Sequence, residues 1–316
     1  MVDHGLNLRR DPSRPRRVPL FLMMRFLHCS DVHITEDYSK VPLLKLGWRR
    51  WMALAELRLG RAAAFANADA SLSKIARLAE LERVDHLIVT GDITAYSLEA
   101  EFARARGALG RIADDPRRCT VIPGNHDRYT PGALATRRFE KYFGHLLEGD
   151  LPEYCREGAF PVVRLLGEEA AVIGLCSARV PPIPGLSMGI IGKKQLGGLR
   201  DVIRDRRLAG RAILVAVHHA PFTHKGRKDK LTHGLLDANA LLAALPGPRF
   251  AVLHGHIHRR YHHPASADRP HIFGAGSSTQ RGNQGYWMIE VADGVVVGAA
   301  QHSLDEQPAA ALAASG

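Results

Sequence analysis

Short clusters of aspartate, histidine and asparagine stand at the downstream ends of five apolar runs, which restricts the chain to folds whose strand ends converge on one place. The clusters are Asp31-Val32-His33, Gly91-Asp92, Gly124-Asn125-His126-Asp127, His218-His219-Ala220-Pro221 and Gly255-His256-Ile257-His258. Any one of them alone reads more readily as a loop or a satisfied core histidine. From them can be drawn two carboxylates, one amide oxygen and four imidazoles, the mixed donor set that borderline divalent ions prefer, and enough of it for two ions.

The apolar runs are short and rich in Val, Ile and Leu, at 26–29, 86–90, 120–122, 171–175, 213–217 and 251–253. Several alternate with helical patterning at 68–81, 97–113, 192–206 and 237–245, as the buried strands of an α/β protein do. Beyond residue 251, strand patterns at 271–273, 286–291 and 295–301 follow closely and predict a meander that completes a second sheet. One catalytic domain is expected over 24–302, with an alanine-rich flexible tail at 303–316. Residues 1–23 read as a disordered leader, or as upstream sequence read in error, since Met24 directly precedes the first strand.

Arg14, Arg16 and Arg17 before the apolar stretch 18–24 imitate a signal peptide, but the stretch is too short and has no small-residue cleavage site. No run is apolar for long enough to span a bilayer, so residence in the cytoplasm is the default expectation. Cys29, Cys119, Cys155 and Cys176 have no CxxC spacing and read as thiols in a reducing compartment rather than disulfides or zinc ligands. A net charge of +11 with a pI near 9.8 favours anionic partners without choosing among nucleotides, nucleic acid and lipid headgroups. There is no GxSxG elbow and no GxxxxGK[ST] loop, and Gly274-Ala275-Gly276 lacks the third glycine of a dinucleotide fingerprint.

In this order, the series DxH, GD, GNHD, HHxP and GHxH resembles the calcineurin-like metallophosphoesterase superfamily, over residues 25 to about 260. The resemblance implies an α/β fold, a four-layer αββα sandwich of two mixed β-sheets flanked by helices, with a binuclear metal centre at the sheet edges. It implies that Asp31, His33 and His258 bind one divalent ion, that Asn125, His218 and His256 bind the other, and that Asp92 bridges them. Mn, Fe or Zn would suit these donors. Two such ions can clamp the attacking and leaving oxygens of an in-line displacement and acidify a water held between them. Neutral Asn125 adds a donor without charge that would repel a phosphate.

The resemblance also turns His126 toward the substrate, where it would steady phosphoryl oxygens or protonate the leaving group, with Asp127 holding its orientation. His219 falls at a variable position, as a packing residue or a substrate contact.

The implied activity is hydrolysis of a phosphodiester or pyrophosphate. GNHD is similar to the bacterial cyclic-nucleotide phosphodiesterase branch, and the same tetrad occurs in phosphatases and pyrophosphatases. An insertion at 38–65 interleaves leucines with Trp48, Arg49, Arg50 and Trp51, as either a lid or a helix lying on a membrane surface does. It resembles the insertion of metallophosphoesterases that cleave the pyrophosphate of UDP-diacylglucosamine, of which only the branch with GNHD fits His126. That reading carries peripheral contact with an anionic membrane on its cytoplasmic face. Lys225, Arg227 and Lys228 after the HHxP motif, and Arg259 after His258, are candidates for holding a second anionic group or are simply solvated. A nuclease and a catalytically silent nucleic-acid-binding module remain as alternatives, with no duplex-holding domain or RNA motif visible.

Overall fold

Strands as apolar as those at 213–217 and 251–253 must be covered on both faces, and here two sheets cover each other while helices cover their outer sides. The computed structural model describes residues 23–36, 62–181, 183 and 186–305. The readings made for 1–22, for 37–61 with Trp48, Arg49, Arg50 and Trp51, and for 306–316 lie outside the described residues.

The first sheet contains β1 (Met24–Cys29), β2 (His86–Val89), β3 (Cys119–Val121), β10 (Gly285–Ala292) and β11 (Val295–Ser303), in the order β11-β10-β1-β2-β3. The second contains β4 (Val162–Leu166), β5 (Ala170–Gly174), β6 (Ala212–Ala216), β7 (Phe250–His254), β8 (Arg260–His263) and β9 (His271–Ala275), in the order β4-β5-β6-β7-β9-β8. β1, β2 and β3 are parallel, as are β5, β6, β7 and β9, so their downstream ends point one way within each sheet. Among the described residues, six α-helices of five residues or more accompany them: α1 (Ala68–Leu81), α2 (Glu99–Leu109), α3 (Pro131–Ala135), α4 (Arg138–Phe143), α5 (Lys193–Val202) and α6 (Ala238–Ala243).

Alternation along the strands sorts side chains into two cores. Val172, Leu214 and Leu253 face the first sheet and join Phe26, Leu27, Leu87 and Ile88, while Ile173, Val215 and Val252 face outward onto Leu196 and Leu199 of α5 and Leu241 of α6. α1 buries Leu72, Ile75, Ala76 and Ala79 at helical spacing, and each large side chain sealed this way contributes about 1.5–3 kcal/mol. Helices outside, sheets inside and a core on each side make the expected αββα sandwich.

The predicted meander is corrected. β9 joins the second sheet beside β7, but β10 and β11 return to the first sheet, with β10 antiparallel to β1. Hydroxyls in the crossing segment explain the return: Ser277 Oγ donates to the Asp31 carbonyl at 2.9 Å, and the Ser30 amide donates to Ser278 Oγ at 3.0 Å. They carry the chain across the end of β1, after which Trp287 Nε1 ties β10 back to the Gly274 carbonyl at 2.9 Å.

β4 and β8 carry no strand signal because they are sheet edges. Arg164 sits in the middle of one, bound to Asp150 at 2.7 Å, and two histidines end the other. α3 and α4 are too short to show a period, although Thr130 caps α3 by accepting the Ala133 amide at 3.2 Å. β11 runs through Ser303 and Leu304 is buried, so the compact part of the chain extends past residue 302.

Candidate metal centre

The loops after β1, β2, β3, β6 and β7 meet at one edge of the sandwich, and each carries one of the five polar clusters. Their backbone is bent hard. Asp31, His33, Asp92, His256 and His258 all have φ between 50° and 71°, a left-handed conformation that costs a side-chain-bearing residue about 1–2 kcal/mol. Cross-loop bonds hold it in place: the Asp31 amide to the Gly91 carbonyl at 3.1 Å and the His33 amide to the Asp92 carbonyl at 2.9 Å. Glycines beside the polar residues are required by space and, at Gly91 with φ 95°, by conformation as well. A Cβ on Gly91 would stand 2.5 Å from the Gly124 nitrogen, and one on Gly255 would stand 2.3 Å from Asp31 Oδ2.

Two sets of donors converge. In one, His33 Nε2 lies 3.1 Å from His258 Nε2, and Asp31 Oδ1 lies 3.3 Å from His258 and 3.9 Å from His33. In the other, Asn125 Oδ1 lies 3.0 Å from His218 Nε2 and 3.1 Å from His256 Nδ1. Asp92 stands between the sets, its Oδ2 3.8 Å from His33 Nε2 and 3.3 Å from His218 Nε2. Separations near 3–4 Å are those of neighbouring ligands around one ion at 2.0–2.2 Å.

The chemistry of the donors points to a cation. His218 Nδ1 lies 2.8 Å from the Thr90 carbonyl and His256 Nε2 lies 2.9 Å from the His233 carbonyl. A carbonyl only accepts, so those nitrogens carry protons; the opposite nitrogen of neutral His256 turns a lone pair onto Asn125 Oδ1, whereas that of His218 keeps a second proton toward Asp92 until a metal ion takes its place. Lone pairs facing lone pairs are repulsive until positive charge sits among them.

The electrostatics of the metal-free site show the same preference. Burial raises the Asp92 carboxyl, but His218, His126 and His33 outweigh it and hold it well below its ordinary value. Burial opposes charge on His218, yet Asp92, at contact distance, pushes its pKa up to about 9. His256, buried and facing His219 and His218, is driven well below the ordinary range and stays neutral, as a ligand must.

His126 flanks the first set, its ring edge-on to His33 with centroids 4.9 Å apart. Its Nδ1 donates to the Ala95 carbonyl at 2.7 Å, and Tyr129 stacks on the ring at 5.9 Å. The orienting role expected of Asp127 therefore belongs to Ala95. Asp127 is buried beneath the loop and accepts from the Gly124 and Thr94 amides at 2.8 and 2.9 Å, the Ile93 amide at 3.2 Å and Thr94 Oγ1 at 2.9 Å. Burial and the neighbouring Asp92 raise its pKa to about 6. It fastens the His126 loop to the loop after β2.

A cleft of about 750 Å³ opens over both sets, lined by Asp92, Asn125, His126, His256 and His258 and walled by Phe65, Tyr129, Leu186, Thr223, His224, Asp229 and His233, among others. His219 is not part of it. It is fully buried, bonded through Nδ1 to Ser177 Oγ at 2.8 Å and through Nε2 to the Ser187 carbonyl at 2.9 Å, so its place as a substrate contact is corrected to packing. Lys225, Arg227, Lys228 and Arg259 are exposed and stand outside the cleft lining.

Sequence reading missed several lining residues, three rings among them. His233 packs its ring 4.0 Å from His256 and bonds Asp229 at 2.5 Å, but it lies in a turn with no motif around it. Phe65 and Tyr129 carry no polar signature, and only the fold brings their rings beside His33 and His126.

The model of the calcineurin-like phosphoesterase family matches residues 24–260. Among solved structures, a dimetal phosphatase from Danio rerio is similar, with a TM-score of 0.54 and 13% identity over 89% of this chain and 98% of that one. A purple acid phosphatase from yellow lupin (Lupinus luteus) gives a TM-score of 0.47 and 10% identity over 90% of this chain and 56% of that one. At 13% identity the likeness to the dimetal phosphatase speaks for the fold alone. No curated protein sequence matches the chain.

Proposed function

The chain belongs to the calcineurin-like phosphoesterase family and is a metal-dependent phosphoester hydrolase working with two divalent ions; from that premise we propose its ligands, its acid and its substrate class. Asp31, His33 and His258 hold one ion, Asn125, His218 and His256 the other, and Asp92 joins them. The observation that carries this assignment is Asp92 Oδ2, set within 3.8 Å of His33 and 3.3 Å of His218, one donor from each set.

When bound, the ions supply Lewis acidity toward phosphoryl oxygens and a nucleophile at neutral pH. The chain does the rest. The Ala95 carbonyl accepts a hydrogen bond from the Nδ1–H of His126, so Nε2 is the nitrogen left to the substrate side, where in its protonated form it donates to a phosphoryl oxygen or to the departing alkoxide. Tyr129 limits the swing of that ring. Asp127, with four donors on it, keeps His126 at a constant height over the site.

The bond cleaved is a phosphodiester or a pyrophosphate. The cleft mixes Phe65, Tyr129, Leu186 and Ile257 with five histidines, which suits an ester carrying a large, partly apolar group on the phosphate rather than a small monoester. A lipid-linked nucleotide resembling UDP-diacylglucosamine has that character.

The test is manganese-dependent hydrolysis of bis(p-nitrophenyl) phosphate beside p-nitrophenyl phosphate, with Asp92→Ala as control. Diesterase activity lost in the variant supports the assignment, and UDP-diacylglucosamine is then compared with cyclic AMP. Equal activity in wild type and variant would sink the two-set arrangement; preference for the monoester would sink the substrate class.

A further inference from the structure

Exposed apolar side chains and unbridged cations meet on one rim of the cleft. Residues 186–190 and 231–236 run side by side there: the Ser187 amide donates to the Thr232 carbonyl at 3.0 Å, the Gly189 amide to the Gly234 carbonyl at 3.1 Å and the Leu236 amide to the Gly189 carbonyl at 2.9 Å. Leu186 and Ser187 from one strip and His233 from the other line the cleft. The same strips expose Leu231 by 80%, Leu236 by 47% and Ile190 by 38%, with Ile183 at 62% just upstream. Seven large hydrophobic residues are exposed among the described residues, and four of them are these. A single exposed leucine needs no explanation, but a group of this size on one rim does.

Lys225, Arg227, Lys228 and Lys230 precede the second strip, Lys193 and Lys194 follow the first, and all six are exposed. No acidic side chain bridges them among the described residues. The two acids of this stretch are engaged locally: Asp229 with His233 at 2.5 Å, and Asp237 with the Ile191 and Gly192 amides at 3.1 and 2.8 Å. The rim is therefore apolar at its crest and positive around it.

We propose that this rim is a membrane-docking surface. Its leucines and isoleucines enter the boundary between headgroups and acyl chains, its lysines and arginine pair with anionic phospholipid headgroups, and the cleft mouth is brought down onto the bilayer. Residues 37–61 carry Lys40, Lys45, Arg49, Arg50, Arg58 and Arg61 against Asp37 and Glu56, so their charge has the wrong sign to be the complementary occupant. A second copy of the chain, at +11, has the same defect. Nucleic acid matches the charge but leaves the leucines in water. An anionic bilayer answers both. The docking deepens the proposed amphiphilic substrate class and rests on that reading for its use, because a lipid-linked ester is reached from such a surface.

The test is flotation of the full chain with vesicles of phosphatidylglycerol and phosphatidylcholine, and with vesicles of phosphatidylcholine alone, beside hydrolysis of soluble bis(p-nitrophenyl) phosphate. Binding is expected on the anionic vesicles, weak on the neutral ones, and reduced by roughly 0.5 M salt, where exposed charges are screened. L231D combined with L236D should lower it about tenfold or more while the soluble rate is unchanged; K193Q with K194Q should lower it on its own. The proposal is overturned by no binding to anionic vesicles, by full binding of the leucine double variant, or by duplex DNA being bound through these residues while vesicles are not. Loss of soluble diesterase activity in the wild type would count instead against the proposed function, so the two failures are read separately.

Discussion

His256 donates its Nε2 proton to the backbone carbonyl of His233 over 2.9 Å, and the two rings lie 4.0 Å apart. One turn thus sets the tautomer of a metal-binding candidate and also presents a side chain to the cleft. Asp229 closes that turn by holding His233 Nδ1 at 2.5 Å.

Asp229→Ala frees this turn without touching a donor of either set. Outer partners of metal ligands are worth about 10–100-fold in affinity, and a loss of that size is expected for the ion held by Asn125, His218 and His256. Titration of the metal-free protein with manganese, followed calorimetrically, measures it. Unchanged affinity would mean that the backbone alone holds the His233 carbonyl.

Replacing His126 by alanine should leave two ions bound, because its ring takes its tautomer from Ala95 rather than from a metal. Turnover on a diester should fall by about 10²–10⁴, the usual worth of a positioned proton donor. Elemental analysis beside steady-state rates separates the two effects, and full turnover would remove the acid role.

Asp127→Ala strips one carboxylate from three backbone amides and the Thr94 hydroxyl. Buried donors left without a partner cost about 1–3 kcal/mol each before the loop relaxes, so a loss of roughly 3 kcal/mol in unfolding free energy is expected. Calorimetry of the metal-free variant tests it. A change under about 1 kcal/mol would show that water replaces the carboxylate freely.

Metal uptake should release protons. Asp92 raises His218 from 6.5 to about 9 in the metal-free fold, so the stability this pair contributes is complete below about 6.5 and is lost as pH rises through about 9. At pH 7–8 a divalent ion must displace that proton, whereas above about 9 it is already gone. Binding enthalpies in buffers of different ionisation heat should reveal close to one proton released at pH 7.5, within the window set by the raised value. A buffer-independent enthalpy there contradicts it.

Much of the site is legible from the chain alone because its members are few, polar and placed where apolar runs stop. Asp31, Asp92, Asn125, His218 and His256 each stand just past a strand whose Val, Ile and Leu content announces it. α1 is equally plain, since Leu72, Ile75, Ala76 and Ala79 repeat at helical spacing. The edge strands β4 and β8 are not, because Arg164, buried on Asp150 and the Glu148 carbonyl, interrupts one and His262 and His263 end the other.

Residue type and order along the chain determined which groups are available to a metal, for Asp, Asn and His carry the lone pairs that borderline divalent ions take, and determined the α/β layering, for continuous apolar runs cannot remain uncovered. The tertiary structure alone decided what each group faces. Whether Asp127 or Ala95 orients His126, whether His219 meets substrate or Ser177, and whether β10 joins the first sheet or the second depend on contacts between residues as many as 248 positions apart. Local periodicity records which face of a strand is apolar; it holds no record of the partner that covers that face, because the partner is chosen by packing and hydrogen bonding after the chain has collapsed.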